Sequence, residues 1–113
     1  MIENIRSQMR KGLLEYCILL ILKQRPAYAT EILEALKSAD LLVVEGTLYP
    51  LLSRLKNAGV LVHQWQESPS GPPRKYFSIT AEGETLLEEL EKEWSSIANT
   101  VNNLHQMKQE ISL

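Results

Sequence analysis

Cysteine is almost absent from this sequence of 113 residues, which contains only Cys17. A single cysteine cannot form a disulfide within the chain, so the fold must be stabilised by its hydrophobic core. Hydrophobic residues make up 44% of the composition, which is enough for one small domain. Cys17 lies inside the apolar stretch LLEYCILLIL and is predicted to be a small buried hydrophobe in a reducing compartment.

Long hydrophobic runs are also missing. The apolar stretch of residues 13–22 contains Glu15 and has about half of the length that a bilayer-spanning helix needs. The N-terminal residues MIENIRSQMRKG carry charges of both signs, and no cleavage site follows a hydrophobic block, so no signal peptide is predicted. We expect a cytoplasmic protein that does not cross a membrane.

Few residues in the sequence suggest catalysis or metal binding. His63 and His105 lie in no metal-ligand or nucleophile motif, and no glycine-rich loop of the phosphate-binding kind occurs. The glutamates between residues 82 and 93 are spread around a predicted helix and are typical of a solvated face. We therefore predict a protein that is not an enzyme and that binds no cofactor and no metal.

Net positive charge is lacking overall, yet the charge is unevenly distributed. The formal net charge is −2 and the isoelectric point is near 5.7, which taken alone argues against a nucleic-acid partner. Residues 1–80 carry ten Lys and Arg against seven Asp and Glu, whereas residues 81–113 carry two against seven. The acidity belongs to the C-terminal segment, so the first 80 residues remain compatible with DNA binding.

Hydrophobic periodicity predicts three helices, a hairpin and a fourth helix. The helices are expected near residues 5–23, 27–39 and 46–58, with Pro26 ending the first and Gly59 following the third in a left-handed conformation. VLVHQWQE and RKYFSI then alternate as strands around the turn-forming SPSGPP. A last helix begins at residue 81, with Thr80 as its N-cap.

This order of elements is typical of the winged helix-turn-helix, a mainly α fold with a two-stranded β-hairpin in the α+β class. In that fold the third helix enters the major groove of DNA and the hairpin, or wing, touches the backbone beside it. The sequence suits both roles, because residues that can donate to phosphates or base edges lie on the third helix and just after the hairpin loop. They are Thr47, Tyr49, Ser53, Arg54, Lys56, Arg74 and Lys75.

The last helix is too long to be covered by its own domain. About 28 residues span roughly 42 Å, more than the width of a core of this size. Its apolar residues follow the 4, 3, 4, 3 spacing of a coiled-coil seam, which favours a homodimer. The predicted dimer-interface residues are Leu90, Trp94, Ile97, Val101 and Leu104, joined by Ile5 and Met9 of the first helix. We therefore predict that residues 1–80 form the DNA-binding domain and that residues 81–113 form the dimerisation helix. Residues 1–24 are predicted to contribute to dimerisation as well.

The motifs GLLEYCILLIL, PAYATEIL, EGTLYPLLSRLKNAGVL, WQESPSGPPRKYFSITAEG and LLEELEKEW resemble the PadR family of bacterial transcriptional regulators, in its small subgroup with a single C-terminal helix. The resemblance covers nearly the whole chain. It implies a homodimeric repressor bound to an inverted repeat in double-stranded DNA, with the C-terminal helix of each subunit packed on the N-terminal helix of the other. It also implies DNA-contacting or contact-positioning roles for Tyr28, Thr47, Tyr49, Pro50, Ser53, Arg54, Gly71, Arg74 and Lys75.

Two departures from the family pattern affect this expectation. Thr30 stands where the family usually has an aromatic residue, so an aromatic contact from the second helix is lost or replaced by a hydroxyl. Val44 stands where a serine often precedes Glu-Gly-Thr, so a side-chain N-cap is missing. Pro50 places the start of the third helix near Gly46 or Thr47, with Thr47 as its cap; an earlier start would cost one hydrogen bond and bend the helix.

Several assignments have structural alternatives. Tyr28 and Tyr49 can instead be half-buried packing residues, and Arg74 and Lys75 point to opposite sides of a strand, so one of them can be merely solvated. Trp94 is either a packing anchor of the dimer or, as in drug-responsive members of the resembling subgroup, the wall of a pocket for a small aromatic ligand. Trp65 is expected in the core. A winged-helix module that binds proteins instead of DNA is the alternative function.

Overall fold

The structure, a computed structural model, describes residues 1–111 of the chain, with side chains as far as residue 107. Within this part the chain forms, in order, α1 (Ile2–Gln24), β1 (Ala27–Tyr28), α2 (Ala29–Ser38), α3 (Glu45–Asn57), β2 (Leu61–Ser68), β3 (Gly71–Ile79) and α4 (Ala81–Ile111). The α+β class, the winged arrangement and the long C-terminal helix are confirmed. Residues 112 and 113 of the predicted C-terminal segment lie outside the described residues.

The sheet has three strands where the sequence predicts two. β1 lies against β3 in the antiparallel order β1-β3-β2, with Ala27 opposite Phe77 and Tyr28 opposite Tyr76. The prediction that α2 starts near Ala27 is therefore wrong by two residues. Pro26 disfavours helical backbone before it, and the extended residues that follow it find partners on β3. α2 starts only at Ala29, where the Glu31 carboxylate accepts a hydrogen bond of 3.0 Å from the amide of Tyr28.

One hydrophobic core joins the four helices and the sheet. Its fully buried large side chains are Ile18 and Leu19 of α1, Ile32 and Leu36 of α2, Leu48 and Leu52 of α3, and Leu87 of α4. Burial of each such side chain contributes about 1.5–3 kcal/mol to folding. Cys17 packs half-buried against this core, and burial raises the pKa of its thiol, so the sulfur stays protonated and inert near neutral pH.

The start of α4 is fixed to the end of α3 by hydrogen bonds around Thr80. The Thr80 hydroxyl accepts a bond of 3.0 Å from the amide of Gly83 and donates one of 2.7 Å to the carbonyl of Gly59. The predicted N-cap is thus confirmed. Gly59 has a φ of 81°, which confirms its left-handed conformation after α3. Gly83 approaches Val60 closely because it has no side chain.

Gly83→Ala is expected to destabilise the fold by about 1–3 kcal/mol, although alanine is the better helix former. A Cβ at this position would clash with the backbone carbonyl of Val60 and lie 2.6 Å from Cγ1 of Ile79. Gly46→Ala is the matched control, because Gly46 also lies in the first turn of a helix and its Cβ would meet no atom within 4 Å. Urea titrations followed by circular dichroism measure both variants; equal stabilities would contradict this account of Gly83.

α3 begins one to two residues earlier than the sequence predicts. Val44 is its N-cap, without a side-chain hydrogen bond, and the Val44 carbonyl accepts bonds from the amides of Thr47 and Leu48 at 3.0 and 3.1 Å. Thr47 is therefore inside the helix, and the prediction that it caps α3 is wrong. Pro50 lies inside the helix as well, so the carbonyl of Gly46, its partner one turn earlier, has no amide to accept from at residue 50.

α4 extends well beyond the rest of the molecule. Its 31 residues span about 46 Å, and the radius of gyration is 17.3 Å where a compact chain of this length has about 13 Å. Leu90 is half-buried against the core. Beyond it, Trp94, Ile97, Val101, Leu104 and Met107 are each 46–59% exposed on one stripe of the helix. We call these five residues and Leu90 the apolar seam. Apart from Leu90, the described residues leave this seam largely uncovered.

Candidate nucleic-acid interface

The first turn of α2, the exposed face of α3 and the base of the wing enclose a cleft of about 260 Å³, which we call the wing cleft. Four of the predicted DNA-contacting residues line it, namely Tyr28, Tyr49, Arg74 and Lys75. These residues come from β1, α3 and β3, so the fold brings together side chains that are up to 47 positions apart in the sequence. Two cationic and two tyrosine side chains thus line the cleft.

Arg74 is held in place by Tyr28. Its guanidinium carbon lies 4.0 Å from the centroid of the Tyr28 ring, a cation–π contact. The Tyr28 hydroxyl donates a hydrogen bond of 2.5 Å to Oε1 of Gln66, and the ring packs on Tyr76 with centroids 4.9 Å apart. A stacked guanidinium keeps its N–H edges free, so Tyr28 presents Arg74 in a geometry suited to a phosphate. Tyr28 therefore packs within the sheet and also stacks on a cation, and its role at a DNA interface stays a prediction.

Lys75 has a different aromatic neighbour. Its Nζ lies 5.4 Å from the centroid of the Trp65 ring, and Trp65 stands directly across the β-ladder from Lys75. Trp65 is 63% exposed, so the expectation that it belongs to the core is wrong. The residue opposite Trp65 on β3 is Lys75, and the lysine side chain covers part of the indole ring. Although Arg74 and Lys75 project toward different aromatic rings, both of them line the wing cleft.

Arg54 lies outside the wing cleft. Its guanidinium forms an ion pair and hydrogen bond with Glu15 of α1, and the two side chains are 68% and 22% exposed. Glu15 was not predicted as its partner because the two residues are 39 positions apart in the sequence. The available signal was a single carboxylate inside an apolar stretch, which requires a charged partner. The contact with DNA predicted for Arg54 stays a prediction, and the geometry gives this residue a link between α1 and α3.

The remaining predicted residues lie on either side of the wing cleft. Thr47, Pro50 and Ser53 are exposed on α3, and Tyr49 is exposed on the same helix with its side chain reaching the cleft. Gly71 is at the tip of the wing, opposite Ser68 and next to a register shift between Gln66 and Ser68. Of the exposed residues of α3, Tyr49 thus shares the wing cleft with the cations of the wing.

His63 packs behind this face. Its ring contacts Trp65 and Phe77 edge-on, with centroids 5.9 and 5.8 Å away, and its Nδ1 is buried without a hydrogen-bond partner. Burial, reinforced by the charges of Lys56 and Lys75, lowers the pKa of His63 below its usual value. The imidazole is therefore neutral near pH 7.

Acidification is expected to destabilise the fold through His63. Because its pKa is lower in the folded state, the unfolded chain binds the extra proton first, and the free energy of unfolding falls as the pH drops below about 6.5. His63→Gln removes this part of the pH dependence. Urea titrations between pH 7.5 and 5 measure it; a variant whose stability falls as steeply as that of the parent would contradict the assignment.

A second, apolar cleft of about 360 Å³ lies between α1 and α4. It is lined by Met9, Gly12, Leu13, Tyr16, Leu90, Glu93, Trp94 and Ile97. Four residues predicted at the dimer interface thus meet here, including Trp94, which forms part of the wall. The other three, Ile5, Val101 and Leu104, are exposed on the same two helices beyond this cleft.

No helix among residues 1–111 combines the length and the apolar character needed to cross a membrane. In the same part of the chain no three His, Cys, Asp or Glu side chains are grouped closely enough to hold a metal ion.

Comparisons with known proteins agree with this geometry. The model of the Transcriptional regulator PadR-like family matches residues 18–89. A PadR-like transcription factor from Bacteroides fragilis is 57% identical, with 89% of this chain and 98% of that chain covered and a TM-score of 0.78. A PadR-like transcriptional regulator from Bacillus cereus is 41% identical, with 88% and 97% covered and a TM-score of 0.76. A Streptococcus transcriptional regulator is 34% identical, with 87% and 97% covered and a TM-score of 0.78.

The family match covers more than half of the chain, and the Bacteroides structure covers 89% of it. Proteins of this family are transcriptional regulators and not enzymes, in agreement with the non-enzymatic function predicted. The chain belongs to the PadR-like family of transcriptional regulators.

Proposed function

We propose that two copies of this chain form a homodimeric repressor that binds an inverted-repeat operator in double-stranded DNA. The observation that carries the proposal is the wing cleft, where Tyr28 presents Arg74 beside the exposed face of α3. Such a cation on the wing, next to a helix with exposed hydroxyls, has the arrangement of a winged helix on a duplex. This role would place the protein in the cytoplasm with the DNA.

In this proposal α3 lies in the major groove. Thr47, Tyr49 and Ser53 face base edges or nearby phosphates. Pro50, which has no amide N–H, is exposed on the same helix between them. Arg74 and Lys75 contact phosphates next to the groove, and Gly71 lets the wing tip approach the backbone. The phosphate contacts supply most of the affinity, so binding weakens steeply with salt.

Dimerisation supplies the symmetry of the operator. The apolar seam of α4 is exposed over several turns, and large exposed apolar patches mark interaction surfaces. Ile5 and Met9 of α1 are exposed too and extend this patch. Two copies that bury the same patch are related by a two-fold axis, so their α3 helices face two half-sites of opposite orientation.

Binding to DNA selected from a random pool tests the proposal. The parent protein is expected to enrich an inverted repeat, and its affinity for that repeat is expected to fall with rising salt by at least a hundredfold between 50 and 200 mM. In a cell reporter assay, the protein should repress transcription from a promoter that overlaps the same repeat. A chain that enriches no sequence, shows no salt-dependent binding and instead captures a protein would support the alternative of a protein-binding winged helix.

Relief by a small aromatic ligand is a second candidate function. It is favoured by the apolar cleft between α1 and α4, in which Trp94 stands beside Tyr16 and the single carboxylate of Glu93. A flat cationic aromatic compound suits this lining, because it can stack on the indole while its charge faces the carboxylate.

Trp94 fluorescence is expected to be quenched by flat cationic aromatic dyes. Trp65 also fluoresces, so the measurement uses Trp65→Phe, in which Trp94 is the one remaining tryptophan. Trp94→Phe in the parent background is the control and should show no such quenching. If dye binding leaves Trp94 emission unchanged across a compound panel, Trp94 has a packing role alone.

A further inference from the structure

A third cleft, on the side of α3 away from the wing, involves the N-terminal half of α1. It measures about 430 Å³ and lies between α1, the segment that joins α2 to α3, and the first turn of α3. We call it the α1–α3 cleft. Its walls include Arg6, Arg10 and Lys11 of α1 and Thr47 of α3. Three cations thus share one cavity with a hydroxyl of the recognition helix.

The charge of this cleft is positive on balance. Glu3 is the one carboxylate in its lining, against the three cations. Glu3 pairs with Arg6 at 3.5 Å, and both side chains are at least half exposed, so this ion pair is weak. Among the described side chains, Arg10 and Lys11 are in no ion pair, and the cleft attracts an anion.

The basic side of α1 is not the side that the proposed dimer would cover. Each residue of a helix is rotated by about 100° from the one before, so the centre of the α1 face that lines the α1–α3 cleft lies about 140° from the centre of the face that carries Met9 and Tyr16. Lys11 is about 160° from Met9 and Arg10 about 100°, whereas Arg6 is at the near edge of its face, about 60° from Met9. The face with Met9 and Tyr16 lines the apolar cleft with α4. Dimerisation through the apolar seam and Met9 therefore leaves the α1–α3 cleft open.

We propose that the α1–α3 cleft is a second phosphate-binding site for the operator DNA, with Arg10 and Lys11 as the contacting residues. The inference rests on the proposed function. Because α3 lies between this cleft and the wing cleft, a duplex that receives α3 in its major groove has one backbone strand near Arg74 and the other near Arg10 and Lys11. The α1 cations then clamp the groove on the side opposite the wing.

The exposed apolar side chains in this cleft fit the same partner. Leu42 and Val44 are 73% and 67% exposed in the segment before α3. Beside a major groove such side chains can contact sugars and thymine methyl groups, which are the apolar parts of DNA. A second copy of the chain would require an apolar cleft, whereas here the apolar side chains are bordered by cations.

Salt titrations of operator binding test the inference. Each protein–phosphate contact contributes about 0.9 to the slope of log Kd against log salt, so removing one cation per subunit from a dimer lowers the slope by about 1.8. We expect this decrease for Arg10→Ala and for Lys11→Ala, with an affinity at least tenfold weaker at about 0.1 M salt. Lys92→Ala is the matched control, because Lys92 lies on the polar face of α4 among serine and asparagine side chains.

Ethylation interference on the operator identifies the phosphates concerned. The parent should show two groups of sensitive phosphates per half-site. The double variant Arg10→Ala/Lys11→Ala should lose one of these groups, and Arg74→Ala should lose the other. An unchanged salt slope and unchanged phosphates in the α1 variant would overturn the inference while leaving the proposed function intact. A weakened dimer with an unchanged slope would assign the cleft to a second copy and also overturn it. A parent without salt-dependent DNA binding would instead refute the proposed function.

Discussion

Val101→Glu is expected to convert the proposed dimer into a monomer and to weaken operator binding at least a hundredfold at a fixed chain concentration. Val101 is exposed in the middle of the apolar seam, beyond the part of α4 that packs on the core. A carboxylate there would be buried in each half of the interface, at a cost of several kcal/mol per charge. Because a monomer contacts a single half-site, it loses the second set of DNA contacts together with the dimer.

Asn99→Glu is the matched control for this experiment. It adds the same charge to α4, but Asn99 lies on the polar face of the helix with Ser95 and Asn103. Sedimentation equilibrium measures the association of the subunits, and fluorescence anisotropy measures the operator affinity. Far-ultraviolet circular dichroism checks that both variants fold. A Val101→Glu protein that stays dimeric at micromolar concentration would show that the apolar seam is not the interface.

Arg74→Ala should reduce operator affinity about tenfold to a hundredfold at about 0.1 M salt, since a dimer loses two phosphate contacts and about 1.8 units of salt slope. Arg74→Lys is the informative companion. It keeps the charge, so the slope should be unchanged, but it loses the planar stack on Tyr28 and is expected to bind with intermediate affinity. Anisotropy titrations at several salt concentrations separate the two effects.

The stacking itself is tested by Tyr28→Phe and Tyr28→Ala. Phenylalanine retains the ring under Arg74 and loses the hydrogen bond to Gln66, so most of the affinity should remain. Alanine removes the platform and should approach the affinity of Arg74→Ala. Lys92→Ala, remote from the wing, is expected to match the parent throughout. If Arg74→Ala retains the parent slope, Arg74 contacts no phosphate and the wing cleft is not part of the DNA interface.

Much of the fold could be predicted from the sequence because its determinants are local. Helical and alternating periodicity identifies the four helices and the wing, and the Thr80 cap and the positive φ of Gly59 depend on neighbouring residues. β1 was missed because a strand of two residues is defined by its pairing with β3, which is a tertiary contact. The start of α3 was predicted one to two residues too late because Val44 caps the helix through its backbone alone, so no capping side chain marks this position in the sequence.

Prediction of the candidate site was limited in the same way. Tyr49, Arg74 and Lys75 were predicted from element order and Tyr28 from the family resemblance, and the structure places all four around one cleft. Which ring each cation packs on did not follow, because it depends on register across the sheet. Arg54 shows the limit most clearly, since the sequence does not indicate that this exposed basic residue of α3 pairs with a carboxylate on another helix.

The ion pair between Arg54 and Glu15 has a consequence for the operator itself. It ties α3 to α1, the same helix whose Met9 lines the cleft with α4 and adjoins the apolar seam. In the proposed dimer the distance between the two α3 helices is therefore fixed by the rigid length of α1 and its angle to the two-fold axis. Half-site spacing would then be set by a distance within the protein, so we expect the proposed repressor to discriminate between operators that have identical half-sites and differ by one base pair in the spacing between them.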